Sequence, residues 1–348
     1  MNTTAEIKTA IIGYGFSATT FHLPFILNLP PFRFTAVSTS KGEQVQQQHP
    51  EVEVYADAET LLTRCDADLV IITAPNAAHF TLAKLALEQG KHVVLEKPFV
   101  TRVEQGEELI ALAEKQQRVL SVYHNRRWDG DFLTVQKLIT GNSLGPVRYF
   151  ESHFDRFRPE VRKRWRESNV EGGGILFDLG PHLIDQALQL FGPPKAITAQ
   201  VRAMRSQSEV DDFFHITLHY SELTVVLRSS PYCAAPNLRF EVQGETGSYV
   251  KYGLDPQEDR LKSGTLPVTA DWAQENSEQF GQLFTADSTY PVATESGGYQ
   301  HYYHQLASAI QRNGDVPVSA EQALWSIRLI HLARQSSASG QTLQVSRT

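Results

Sequence analysis

The feature that most limits what this chain can fold into is an alternation across its first third. Short apolar runs rich in β-branched residues, "TAIIGYG", "RFTAVSTS", "ADLVIITAPN" and "KHVVLEKPF", are separated by segments of helical periodicity. Runs without polar alternation belong to strands covered on both faces, as in a parallel sheet. In the clearest helix, "AHFTLAKLALEQG", Asn76 stands where a cap is wanted and Gly90 where the helix stops. "RVEQGEELIALAEKQQ" reads as another amphipathic helix and "RVLSVYH" as a further short strand. Parallel strands joined through helices require right-handed crossovers, so residues 1–123 are expected to form a doubly wound α/β sheet of Rossmann type.

Past about Tyr123 the pattern changes. "PVRYFESHFDRF", "AITAQVRAMRSQ", "FFHITLHYS", "LTVVLRSSPY" and "LRFEVQGETGSYVKYG" read as strands with few helices between them. The turn-like "SELTV" and "GETGS" favour antiparallel neighbours. Residues 124–348 are therefore expected to form a second, α+β domain. Its closing helix, "SAEQALWSIRLIHLARQSS", opens with a Ser319–Gln322 capping box and sets Leu324, Ile327 and Ile330 on one apolar face. The stretch from "LDPQEDRLKSG" to "TESGGYQHYYH" is polar and loop-like, and His301, Tyr302 and His304 at its end could line a pocket but read better as a surface aromatic cluster.

A net charge of −7 argues against a nucleic-acid or anionic-membrane partner, which would favour a basic surface. Cys65 and Cys233 lie far apart in no metal-like spacing, so neither a disulfide framework nor a metal site is expected. The start lacks a basic-then-apolar leader and no apolar run reaches membrane-spanning length, which suits a cytoplasmic protein.

Directly after the first strand, Gly13-Tyr14-Gly15-Phe16-Ser17-Ala18 fits G-x-G-x-x-A. The first glycine permits a tight turn, and the second lets the backbone approach a pyrophosphate. The small last residue lets helix and strand pack closely, with the helix start facing the negative charge. At the end of the second strand, a binder of NAD usually carries an acid for the ribose hydroxyl. Here Ser38, Thr39, Ser40 and Lys41 stand instead, with no acid until Glu43. Three hydroxyls and an ammonium suit a phosphate, so NADP is expected, with NAD still possible.

Two further stretches carry chemistry. "EKP", Glu96-Lys97-Pro98, falls at the carboxyl end of the fourth run, where ligands of open α/β sheets collect, although a lysine there can equally face solvent. In "GGGILFDLGPHLID" a helix would place Asp178 and His182 one turn apart on one face. Pro181 costs a backbone bond in a helix interior, which suggests an irregular or late start, and glycines 172–174 read as keeping a cleft clear.

Taken with "TAPNAAH", "GKHVVLEKP" and "HNRRW", these motifs make the chain resemble the Gfo/Idh/MocA family of nicotinamide-dependent sugar and polyol oxidoreductases over nearly its whole length. The resemblance implies that Lys97 hydrogen-bonds the reacting oxygen and that Asp178 and His182 complete the site, with His182 as proton acceptor. It also implies that Gly13, Gly15 and Ala18 hold the pyrophosphate and that Pro75, Asn76 and His79 flank the path from adenosine to nicotinamide. Glu96 would lie near the nicotinamide ribose, and Asn125 and Arg126 near cofactor and substrate. The second domain would be an open, mostly antiparallel sheet whose outer face packs a partner subunit, giving a homo-oligomer. The chemistry agrees on separate grounds. Neutral imidazole takes a proton near working pH, and an ammonium stabilises a developing alkoxide.

Within the family, "HNRRWDGDF" and "ESHFDRFRP" look most like the scyllo-inositol dehydrogenase-type members. Members acting on other sugars, glucosides or dihydrodiols share the same motifs. A rival class, dinucleotide-binding sensors without catalysis, is disfavoured because Lys97, Asp178 and His182 are all kept. The basic segment "FDRFRPEVRKRWRE" leaves three readings open: a solvated loop, a lid whose Asp155, Arg156 or Trp165 touches substrate or cofactor, or a phosphate clamp.

Overall fold

The opening apolar run forms a central strand, β1 (Ile7–Ile12), in which only Lys8 is not fully buried. It lies between β2 (Phe32–Ser38) and β4 (Leu69–Ile72), with β3 (Glu53–Tyr55), β5 (His92–Leu95) and β6 (Leu120–Val122) completing the sheet. The order is β3-β2-β1-β4-β5-β6, and every pairing is parallel. Helices Ala58–Arg64, His79–Glu88 and Val103–Gln116 alternate with these strands, as the doubly wound reading requires. β3 was not legible in the sequence because it has three residues, none fully buried, and so carries no apolar run. Asn76 does not cap the helix with its side chain: it begins a separate 3-10 turn, Asn76–Ala78, and the helix follows from His79.

The computed structural model describes residues 6–162, 167–269 and 271–346. Contacts divide the chain into two units. The first runs to Asn125 and takes in Gln257–Ala273 and Gly298–Leu324; the second holds Arg126–Pro256, Gln274–Gly297 and the chain from Trp325 onward. The division is thus not one cut after residue 123, because two later segments return to the first unit. Ser121 in β6 shows why: its hydroxyl donates to Val318 O (2.9 Å) and accepts from the Tyr302 hydroxyl (2.9 Å). Tyr302 is fully buried, which corrects the surface-cluster reading, whereas His301 and His304 are exposed.

The second unit is built on a larger sheet. Its strands are β7 (Val147–His153), β8 (Ala196–Arg202), β9 (Phe213–His219), β10 (Thr224–Ser229), β11 (Leu238–Gly244), β12 (Ser248–Tyr252), β13 (Gly281–Phe284), β14 (Thr289–Val292) and β15 (Leu343–Gln344). The order is β14-β13-β12-β11-β7-β10-β9-β8-β15, antiparallel throughout except between β7 and β10. In β9, Phe214, Ile216 and Leu218 are buried while Phe213, His215, Thr217 and His219 are half-buried, the alternation of a sheet covered on one face. The helix Ile175–Phe191 packs on β9 and β10, and Phe191 meets Phe150 of β7 edge-on at 5.3 Å. That helix runs unbroken through Pro181, so the irregular or late start expected from the proline does not occur. Among the described residues no helix is long and apolar enough to cross a membrane.

Candidate active site

In the first unit, the parallel order brings the carboxyl ends of β2, β1, β4 and β5 to one edge, where ligands of such sheets bind. Gly13 leaves β1 with φ +95°, and its N–H donates to Ser38 O at 2.9 Å. A Cβ there would stand 2.7 Å from Thr73 Oγ1, so only glycine fits between β1 and β4. A Cβ on Gly15 would meet nothing within 4 Å, so the second glycine fronts open space of the kind a pyrophosphate needs. Tyr14 is buried, its hydroxyl donating to Gln48 Oε1 (2.8 Å), while Phe16 is exposed and Ala18 packs without exposure. At the end of β2, Lys41 folds back so that Nζ donates to Tyr14 O (3.2 Å), and its N–H donates to Thr39 Oγ1 (3.0 Å). Ser40 is exposed beside it. These residues fit a nicotinamide dinucleotide, with an ammonium next to the glycine-rich loop.

Beyond β5, the Glu96 carboxylate is gripped from three directions. Oε1 accepts from Ser17 Oγ and from His22 Nε2 (2.9 Å), and Oε2 accepts from the Lys97 N–H (3.1 Å). Burial alone would raise this carboxyl, but His22 first, then the Ser17 hydroxyl and the charge of Lys97, outweigh it and bring it to about 2. The Lys97–Pro98 bond is cis. Pro75 is exposed and Asn76 buried. His79 is buried with Nδ1 2.9 Å from Pro98 O and Nε2 3.0 Å from Ala74 O, so its ring braces the turn after Lys97, and burial lowers its basicity. The chain passes from the first unit to the second between Asn125 and Arg126, both buried. Arg126 pairs with Asp129 (3.2 Å), and its guanidinium lies 4.8 Å from the Phe154 ring centre.

In the second unit, Asp178 and His182 occupy successive turns of the helix Ile175–Phe191, Asp178 half-buried and His182 only 5% exposed. The helix start is capped from a distant loop. Asp211 Oδ2 accepts from the Leu176 N–H and Asp211 O accepts from the Ile175 N–H, both at 2.8 Å. Burial raises the Asp211 carboxyl against the Leu176 amide and Arg334, which favour its charge. Gly174 precedes the helix at φ +95°, and a Cβ there would come within 2.4 Å of Asp211 Oδ1. The glycine is therefore needed for a left-handed turn pressed against the cap.

Further along, Gln186 Nε2 donates to Arg126 O (2.7 Å), and Arg127 grips Asp185 through two hydrogen bonds of 2.8 and 2.7 Å. Arg126 and Arg127 of "HNRRW" thus clamp this helix.

A cavity of about 50 Å³ beside Asp178 is lined by Arg156, Arg158, Gly174, Arg205 and Asp211. That is well under the roughly 300 Å³ of the smallest ordinary ligand pockets, so this space alone is not a polyol site. Arg156 lines it and rests over the Phe154 ring at 4.9 Å. Asp155 does not line it. Its carboxylate takes Arg228 (2.6 Å) and the Ser230 N–H (2.8 Å), and those partners together with His153 hold it ionised against its burial. Trp165 lies outside the described residues.

His22, Asp211 and Arg127 escaped the sequence reading. His22 had one available signal, an imidazole four residues past the glycine motif; Asp211 had none, because its partner stands 35 residues away.

Comparison with known proteins bears on the family and the fold. The family model described as an oxidoreductase family with an NAD-binding Rossmann fold matches residues 7–124. Its companion, the oxidoreductase-family C-terminal alpha/beta domain, matches residues 136–345. An uncharacterized oxidoreductase of Escherichia coli is 44% identical over 97% of this chain and 98% of its own length. A scyllo-inositol 2-dehydrogenase (NADP(+)) of Bacillus subtilis is 39% identical over 97% of this chain and 96% of its own. A solved oxidoreductase structure from Bacillus subtilis, 38% identical, covers 99% of this chain and 100% of its own with a TM-score of 0.96.

Proposed function

The chain belongs to the Gfo/Idh/MocA family of NAD(P)-binding oxidoreductases, and from that premise we propose that it moves a hydride between NADP and a ring hydroxyl or ketone of a cyclic polyol, with scyllo-inositol as the preferred substrate. The observation that carries the substrate is the 39% identity, over nearly the full length of both chains, to the scyllo-inositol enzyme. Support for NADP comes from the turn after β2, where Thr39, Ser40 and Lys41 offer hydroxyls and an ammonium and no carboxylate, while Ser38 is buried at the end of the strand.

The nicotinamide, when bound, supplies or accepts the hydride. The chain's own residues handle the proton and the charge. Lys97 donates to the reacting oxygen and stabilises it as negative charge develops. His182 takes the hydroxyl proton in oxidation and returns it in reduction. Asp178, one turn away on the same helix, orients the imidazole or binds a neighbouring hydroxyl.

The test is a set of initial rates with NADP+ and NAD+ against inositols, aldoses and glycosides. Turnover of scyllo-inositol with NADP+ is the expected result. Turnover confined to another sugar would discard the substrate, and nucleotide binding without any turnover would point to a sensor. Replacing both Ser40 and Lys41 by alanine should raise the Michaelis constant for NADP+ about 10-fold or more, the scale of losing a charge-assisted contact. The constant for NAD+ should stay nearly still; equal effects would mean the phosphate is read elsewhere.

The same reading makes the protein a homo-oligomer joined through the half-buried outer face of the β7–β12 sheet. Light scattering of the purified chain would refute this by returning the mass of one copy.

A further inference from the structure

His22 is fully buried, yet neither the sequence pattern nor the proposed chemistry gives it a task. It ends a π-helical turn, Ala18–His22, that directly follows the glycine-rich loop. Such turns are rare and concentrate at functional sites. This one delivers the imidazole to the end of β5, where Nε2 lies 2.9 Å from Glu96 Oε1 and Nδ1 lies 2.7 Å from the Tyr303 hydroxyl.

The direction of the bond to Glu96 follows from what that partner can do. Glu96 is ionised and only accepts, so His22 Nε2 carries a proton and donates to it. The Tyr303 hydroxyl lies 2.7 Å from His22 Nδ1 and donates to Phe21 O at 3.3 Å, the carbonyl that also receives the Tyr123 hydroxyl at 2.9 Å. The result is a hydrogen-bonded chain, Tyr303 to His22 to Glu96. Its far end is fixed by packing, because Tyr303 stacks on Phe25 at 5.1 Å and the His22 ring lies 4.5 Å from Tyr123.

The near end matters for chemistry. Glu96 Oε1 takes His22 together with Ser17 of the glycine-rich loop, and Oε2 takes the N–H of Lys97. On the other side of Lys97, Pro98 O is met by His79. The main chain of Lys97 is therefore held before and after the lysine, and His22 secures the first of these holds.

We infer that His22 is a positioning residue for Lys97: through Glu96 it fixes the turn carrying the lysine and ties that turn to the glycine-rich loop. This deepens the dehydrogenase reading above and rests on it. A reacting group displaced by about 1 Å costs on the order of 100-fold in rate, so the loss should fall on kcat.

The experiment uses the full chain with His22→Leu, His22→Gln and Tyr303→Phe. His22→Leu should lower kcat roughly 10- to 100-fold while the dissociation constant of NADP+, read by quenching of intrinsic fluorescence, moves less than about 3-fold. His22→Gln keeps an N–H in the place of Nε2 and should recover most of kcat. Tyr303→Phe, which removes only the hydroxyl behind the ring, should fall between them. Equal losses in His22→Leu and His22→Gln would overturn the inference. So would a lowered melting temperature with kcat per folded molecule unchanged, since that is a purely structural role. If the unaltered protein turns over no substrate, the dehydrogenase reading fails separately, and the hydrogen-bonded chain is judged by 15N spectra of labelled histidine. A proton on Nε2 supports the chain; a bare Nε2 overturns it.

Discussion

His182→Ala is expected to lower kcat for polyol oxidation by about 10²- to 10⁴-fold, the range of a lost general base. Lys97→Ala is expected to cost about 10²- to 10³-fold, the range of a lost donor to a developing oxyanion. Both variants should bind NADP+ nearly as well as the parent, because the glycine-rich loop and the turn after β2 are untouched by either change. The double variant discriminates most sharply. Groups that serve one step are not additive, so removing both should cost little more than removing the worse one. Losses that multiply would mean the two residues serve different steps. Retention of more than about a tenth of kcat in His182→Ala would move the base to another group, with Asp178 first in line.

Asp131→Ala should destabilise the second unit by about 3–5 kcal/mol, because it strands a buried guanidinium. Asp131 and Arg239 are both wholly buried, with Oδ2 3.3 Å from Arg239 Nε. Arg239 also donates to Ser152 Oγ and to Gln186 Oε1, each at 2.7 Å, and its guanidinium lies 4.1 Å from the Phe240 ring centre. A buried pair gains little over apolar residues of the same volume, yet breaking one half is costly. The double variant Asp131→Leu with Arg239→Met should therefore regain most of the lost stability. Urea unfolding followed by fluorescence reads both. A single-variant loss under about 1 kcal/mol would show that water reaches the stranded charge. Gln186 stands one turn beyond His182, so these variants also test whether its anchorage keeps the helix that carries the proposed base in register. Loss of kcat in the stable double variant would say that it does.

The first sheet was legible because its signals are local. Runs such as "ADLVIITAPN" lie between helices on both faces and need no polar alternation, so composition alone announces them. Gly13 and Gly15 were legible for a similar reason: a tight turn and a close approach demand a missing side chain wherever the rest of the chain lies. The spacing of Asp178 and His182 is helical arithmetic, and the helix obeys it. Pro181 misled because its local cost was weighed without the packing that offsets it. The helix is held over its whole length by the Asp211 cap, the Arg127–Asp185 pair and the Gln186 bonds, all from distant segments.

The sequence by itself determined the strand–helix alternation of the first unit apart from β3, the glycine-rich turn and the residue types available for catalysis, because each depends on neighbours within a few positions. Only the tertiary structure decided how those residues are held. Glu96 and His22 are 74 positions apart, Asp131 and Arg239 still further, and Tyr302 looked exposed until Ser121 met it. Hydrogen bonds and ion pairs act over a few ångströms of space. Sequence distance does not measure that separation, so the chemistry could be listed from the chain while its geometry came only from the fold.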